Sequence, residues 1–221
     1  PQLDLPQEDN PFLGVRGSRL LLRRSDLLQP QLRALYRALK AGAKLSIMFP
    51  MVTSLNELIK LRALCEDVRQ SLNAPNCPIG VMIEVPAAAL EARAMAKHAD
   101  FFSIGTNDLT QYCLAIDRQN PTLAAEADSL HPAVLKLIKL TVDGAKDQNC
   151  WVGACGGIAG DPLGAAILSG LGLTELSMTP LDIPAVKARL RQSSMDELRA
   201  LAQRALEAET SEEVRGLGGD K

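Results

Sequence analysis

The chain has 221 residues, 47% hydrophobic and only 3% aromatic, enough for one large domain or two small ones with a core of Leu, Ala, Val and Ile. Its 24 basic and 26 acidic residues leave a net charge of −2, which gives no electrostatic case for nucleic acid or an anionic membrane as partner and leaves room for a local anion site. Five cysteines without a CxxC pair indicate neither a disulfide framework nor a zinc knuckle, and fit a reduced, cytoplasmic setting.

In chain order, residues 1–18 read as an N-terminal loop segment. Asn10-Pro11 marks a turn, Gly14 and Gly17 free the backbone, and Arg16 between them is either a linker residue or an anion contact on a flap. The opening stretch has no signal-peptide apolar run, and no run anywhere approaches the ~18 residues of a membrane span, so no membrane insertion is expected. Candidate strands follow at 44–51, 79–85, 101–106, 151–155 and 175–178, each short, apolar and β-branched. Between them run helical patterns. Residues 54–72 open on Ser54 with Glu57 three positions later, a capping-box spacing. Residues 86–98 are Ala-rich, and 132–148 place Val134, Leu135, Ile138, Val142 and Ala145 on one face. Residues 161–169 begin with Asp-Pro, and 193–209 form a terminal amphipathic helix capped by Ser193 or Ser194. Residues 73–78 and 119–131 are loops by composition, the second long enough for a functional role. Residues 210–221 read as a flexible tail.

Strand and helix alternating over short links predict βαβ units and a parallel sheet, either doubly wound or a (β/α) barrel. No GxGxxG follows the first strand, which counts against a dinucleotide fold. In both architectures ligands bind where the strands end, and reactive groups collect there. Glu84 closes the second strand, Gly105-Thr106-Asn107-Asp108 the third, and Cys155-Gly156-Gly157 the fourth. Glu84 is either a strand-end or ion-paired carboxylate, or pairs with Asp108 on a hard divalent cation such as Mg²⁺. Asn107 and Asp108 are alternatively a turn residue and a helix N-cap, because LTQYCLA continues with helical spacing. Arg118 is a surface arginine or an anion clamp, with Asp117 to orient it. Cys155, among small residues, is a buried hydrophobe or a poised acid or nucleophile. His98 and His131 look structural.

The run FFSIGTNDLTQYCLAIDR closely resembles the signature of enzyme I of the sugar phosphotransferase system, the phosphoenolpyruvate–protein phosphotransferases. NPFLGVRG, IMFPMV, GVMIEVPAA and CGGIAGD resemble further blocks in family order, so the likeness covers about residues 8–213. Pyruvate phosphate dikinase and phosphoenolpyruvate synthase share a related barrel, and LTQYCLAIDR is closer to enzyme I. The resemblance implies a (β/α)8 TIM-barrel domain that binds phosphoenolpyruvate with Mg²⁺, dimerises, and passes the phosphoryl group to a histidine on a separate domain that meets a phosphocarrier protein. By matching motif, Glu84 and Asp108 would hold Mg²⁺ and Asn107, Asp108, Arg118 and Arg16 the substrate. Cys155 would protonate the enolate carbon as pyruvate forms. An alternative is a non-catalytic dimerisation module.

Two departures from the family pattern stand out. Gly157 stands where enzyme I often has Glu. Blocks that precede NPFLG in the family, with further substrate arginines, are not in this sequence, and five candidate strands are counted rather than eight. The expectation is therefore the C-terminal part of such a barrel over residues 19–209, either an open curved sheet protected by oligomerisation or only part of the native domain, and inactive in phosphoryl transfer by itself.

Overall fold

The computed structural model describes residues 6–219. A turn of 3-10 helix at Pro11–Leu13 leads into α1 (Gly17–Arg23) and α2 (Ser25–Lys40), then β1 (Ile47–Phe49), α3 (Leu55–Ser71), β2 (Ile79–Ile83), α4 (Pro86–Leu90), α5 (Ala92–Met95), β3 (Phe101–Gly105) and α6 (Thr106–Leu114). A long loop carries the chain to α7 (Pro132–Ala145), β4 (Trp151–Cys155), α8 (Gly157–Gly160), α9 (Pro162–Leu171), β5 (Glu175–Leu176), α10 (Ile183–Arg191), α11 (Met195–Glu207) and α12 (Ser211–Gly216). The strands form one parallel sheet in sequence order, β1-β2-β3-β4-β5. No helix among the described residues is long and apolar enough to cross a membrane.

Register decides what each face of this sheet carries. Phe49 lies beside Val81, Val81 beside Phe102, and Phe102 beside Val152; all four are buried under the helices. Ile83, Ile104 and Ala154 form the next rung on that side. Because side chains alternate along a strand, the residues between them face the other way. That inner face has Met48, Gly80, Phe101 and Trp151 on one rung and Met82, Ser103, Gly153 and Glu175 on the next. Phe101 stacks on Trp151 with ring centroids 4.7 Å apart, and Gly80 is required beneath, since a Cβ there would fall 2.4 Å from the Phe101 ring. Met48 (37%) and Trp151 (39%) stay partly exposed, so the described residues cover one face fully and the inner face only in part.

Local chemistry sets the helix starts. Ser54 Oγ accepts from Glu57 N–H at 3.3 Å, but the Glu57 carboxylate turns to Thr53 N–H and Oγ1, so only half of the expected box forms. The complete box sits at Ser194 and Glu197. Asp161 caps α9 through Gly164 N–H at 2.7 Å, and His131 caps α7 by accepting Ala133 N–H on Nδ1. The Ala-rich 86–98 pattern splits into α4 and α5 at Glu91. There α7 crosses so closely that a Cβ on Gly144 would lie 2.6 Å from the Arg93 nitrogen.

Three readings of the sequence need correction. The boundary at residue 18 falls inside α1, which Gly17 can start because it takes φ +52 against Met51. Residues 25–40 form a sixteen-residue helix absent from the predicted elements; it buries Leu28, Leu32, Tyr36 and Leu39 despite Pro30 in its interior. The expected tail contains α12, capped by Thr210 Oγ1 and anchored by fully buried Val214. Only residues 220–221 of that segment, and 1–5 of the N-terminal one, lie outside the described residues.

The α9–α11 contact depends on one missing side chain. A Cβ on Gly170 would sit 2.0 Å from the Leu198 carbonyl oxygen. Alanine is intrinsically better in a helix by about 1 kcal/mol, yet Gly170→Ala is expected to destabilise the chain by about 1–3 kcal/mol because the helices must part. Gly216→Ala, with open space around its Cβ, is expected to cost nothing. Urea midpoints of the two variants check this.

Candidate active site at the carboxyl ends of the strands

The inner-face alternation continues one step past the rung of Ser103. With Ile83 beside Ile104 and Gly105 beside Cys155, Glu84, Gly105 and Cys155 fall on a single rung facing inward. Glu84 is 4% exposed. It packs over Gly105 so closely that a Cβ there would lie 2.9 Å from its Cβ and Oε2. Its Oε1 accepts the N–H of Met51 at 2.7 Å, and Met51 holds a left-handed φ of 55° to aim that donor. Burial pushes the Glu84 carboxyl above its ordinary range; the Met51 N–H opposes the rise, Asp108 adds to it, and Arg16 and Arg118 counter it.

β3 passes into α6 with no intervening loop, so the first turn of the helix is the rim of the site. Gly105 is the N-cap, which places Asp108 inside the first turn with no capping bond; the N-cap alternative for Asp108 is thereby removed. An anion there faces the positive end of the helix. Asp108 Oδ1 is buried and accepts no hydrogen bond, although Arg118 Nη2 lies 3.3 Å from it and donates to the other oxygen, Oδ2, at 3.4 Å. An orphaned buried carboxylate oxygen is costly and calls for a cation or a donor. Arg118 is set by its own backbone, whose N–H donates to Oε1 of buried Gln111 at 3.2 Å.

Asn107 points across to the next strand end. Gly157 N–H donates to Asn107 Oδ1 at 3.2 Å, which leaves the Nδ2 group as a free donor. Thr106 Oγ1 donates to the Cys155 carbonyl at 3.0 Å. Gly156 must be glycine between them: it has φ +107, and its Cβ would lie 2.4 Å from Thr106 Oγ1.

Cys155 accepts from Ser103 Oγ at 3.7 Å and donates to the Ile104 carbonyl at 3.6 Å. Burial holds its thiol above the usual range. The Ser103 hydroxyl opposes that, and Glu84, Asp108 and Glu175 reinforce it. The group is therefore a neutral S–H at pH 7, a proton donor rather than a ready thiolate.

Arg16 arrives from the N-terminal segment. Its guanidinium lies over the Phe12 ring, 5.0 Å from the centroid. The Tyr112 hydroxyl of α6 donates to the Phe12 carbonyl, tying this segment to the helix that carries Asp108. All six predicted residues thus meet at one end of the sheet. Ser103, Gln111 and Met51 were not predicted. Ser103 was accessible in principle: once Gly105 and Cys155 are paired, the residue two before Gly105 is a diagonal neighbour of the thiol.

A profile described as "PEP-utilising enzyme, PEP-binding domain" matches residues 1–195. The chain belongs to this family. It is 69% identical over 215 residues to a multiphosphoryl transfer protein of Xanthomonas campestris pv. campestris, an alignment covering 97% of this chain and 26% of that protein. It is 43% identical over 218 residues to a phosphoenolpyruvate-protein phosphotransferase of Haemophilus influenzae, covering 96% of this chain and 38% of that one. The chain therefore spans about a quarter to two fifths of the length of the curated relatives it matches. A citrate lyase crystal structure from Burkholderia xenovorans superposes over 86% of this chain and 66% of that one, with a TM-score of 0.56 at 17% identity. That likeness is one of fold, and it places the open sheet among α/β folds of the TIM-barrel type, with five parallel strands among the described residues.

The donor set can be tested for a divalent cation. Among the described residues no three His, Cys, Asp or Glu side chains gather as a metal cage. The site instead has two carboxylates, one with an unpartnered oxygen, which fits a hard ion that completes its shell with water and substrate oxygens. Glu84 supplies a pH prediction. Its folded-state pKa is raised, so its burial cost is absent below the ordinary glutamate range near 4.5. The cost develops as pH climbs from the unfolded value to the folded one, the interval in which the native state still holds a proton that the unfolded state has lost, and is complete above it. Glu84→Gln keeps an oxygen for Met51 N–H and is expected to have a higher urea midpoint than the parent at pH 7, with the difference vanishing near pH 4.

Proposed function

We propose that this chain carries the phosphoenolpyruvate site of a phosphoenolpyruvate–protein phosphotransferase, the enzyme I role at the start of phosphotransferase-system sugar uptake. The observation that carries the reading is the buried, unpartnered Oδ1 of Asp108, set in a family that uses phosphoenolpyruvate. Glu84 and Asp108 would hold Mg²⁺. When bound, that ion neutralises charge on the phosphate and enolate oxygens.

The chain's own residues do the rest. Arg118 and Arg16 bind the anionic ends of the substrate, Arg118 by exchanging its single long hydrogen bond to Asp108 Oδ2 for a forked one to the ligand. Asn107 donates Nδ2, with its orientation fixed by Gly157. As the P–O bond breaks, the phosphoryl group goes to a histidine nitrogen of a separate domain. The Cys155 S–H proton passes to the methylene carbon of the enolate, giving pyruvate and a thiolate that regains a proton from solvent. Little covalent work is left to the protein, and positioning with charge neutralisation supplies the rest. The separate domain would meet a phosphocarrier protein in the cytoplasm. Association as a homodimer belongs to the same reading.

Calorimetric titration of phosphoenolpyruvate with Mg²⁺ is expected to show Mg²⁺-dependent binding to this chain, lost in Asp108→Ala. Binding that is indifferent to Mg²⁺, or retained in the variant, would overturn the assignment of the carboxylates. For Cys155, the expected signature is Mg²⁺-dependent exchange of pyruvate methyl protons with D₂O, followed by NMR and abolished in Cys155→Ala. Exchange at the parent rate in that variant removes Cys155 as the acid.

A further inference from the structure

The loop from residue 115 to 131 leaves the helix that carries Asp108 and runs to the start of α7. It leaves α6 at Ala115 in a left-handed conformation, φ 55°, turns Arg118 back toward Asp108, and reaches α7 at His131. Its start is tied to α6 through Ile116 N–H and Arg118 N–H, which donate to the backbone oxygen and Oε1 of Gln111; beyond Arg118, Gln119 N–H and Thr122 N–H bond only to the nearby side chains of Asp117 and Asn120. Its last part is pinned twice. Ser129 Oγ accepts from Thr110 Oγ1 at 3.0 Å, on the helix of Asp108. Asp128 accepts a fork from Arg215, Nε to Oδ2 at 2.7 Å and Nη2 to Oδ1 at 2.8 Å. Asp128 Oδ1 also accepts Leu130 N–H at 2.9 Å, and its side chain is 16% exposed.

Arg215 belongs to α12, beyond the stretch that the family profile matches. Between the loop and α8 lies a cavity of about 350 Å³ lined by Ser129, Gly157, Asp161 and Arg215 among others. Gly157 is the residue whose N–H orients Asn107. One wall of this cavity is therefore the rim of the site, and another is the last part of the loop that carries Arg118 near its start.

We infer that Arg215 is a positioning residue: from α12 it latches the 115–131 loop through Asp128 and so keeps Arg118 facing the carboxylate rim. A fork fixes both distance and plane, which a single ammonium contact does not. Val214, buried next to it, and the Thr210 cap keep α12 in place as a rigid anchor. The inference rests on the site reading above for its functional consequence and on geometry alone for the latch.

The test uses the 221-residue chain and the variants Arg215→Gln, Asp128→Asn and both together, with Arg215→Lys as the conservative case. Amide hydrogen exchange without ligand is expected to accelerate across 116–127 in each Gln or Asn variant while α2 and α3 keep their protection. Phosphoenolpyruvate affinity with Mg²⁺ is expected to weaken about tenfold, by no more in the double variant than in either single one, with Arg215→Lys intermediate. Unchanged loop exchange overturns the latch. Faster exchange with unchanged affinity overturns the positioning role. A parent chain that binds no phosphoenolpyruvate overturns the site reading instead, and the exchange result still decides the latch.

Discussion

The register of three neighbouring strands is the constraint on which the site depends. Pairing Ile83 with Ile104 and Gly105 with Cys155 sends Glu84 and the thiol to the same side of the sheet, opposite the helix-packed core. A slip of one residue would turn every one of these side chains to the other face. The slip is prevented by burial, since Val81, Phe102, Val152, Ile83 and Ile104 would all leave the core with it. The hydrophobic face thus fixes the chemistry of the polar one. No separate device is needed to bring a carboxylate of β2 and a cysteine of β4 together.

What the register sets up, the backbone makes tolerable. A carboxylate as buried as Glu84 is expensive, and the chain supplies one donor for it by holding Met51 at a positive φ. The same turn packs on Gly17 and receives Ser18 Oγ and N–H on the Pro50 carbonyl. The segment that delivers Arg16 is therefore stacked directly on the donor that satisfies Glu84. Strain in one residue, the absence of a Cβ in two others, and one buried bond form a connected unit, which is where local rules are expected to bend around function.

Much of this was legible in the residues. Short β-branched runs gave the strands, and the polar group after each run gave the rim, because a parallel sheet ends all of its strands on one side. The Asp161 cap was readable from the sequence, and so was a serine cap at 193 or 194, of which Ser194 forms it. The helix at Ser25–Lys40 was not, because Pro30 is ordinarily a break and only tertiary burial of the Leu28–Leu32–Tyr36–Leu39 stripe overrides it. The order in α12 was hidden by the glycines around it, since what holds it is the burial of one residue, Val214, and an ion pair from Arg215 to a residue 87 positions earlier. Long-range partners of this kind leave no local pattern. The hydroxyl beside Cys155 was hidden for the same reason, as it becomes a neighbour only when two strands pair.

The stacked aromatic pair on the inner face also gives the molecule an internal optical label. Trp151 is the sole tryptophan of the chain, it is 39% exposed, and it lies on the inner face that bears the thiol, one rung below Ser103. Its emission is therefore governed by whatever shields that face from water, whether further strands of a longer protein or a second copy of this one. The tyrosines are distant in sequence and absorb at shorter wavelength, so the signal reports on this one surface without any added dye. The exposure of that inner face, invisible in the composition of the chain, is written into the environment of a single indole.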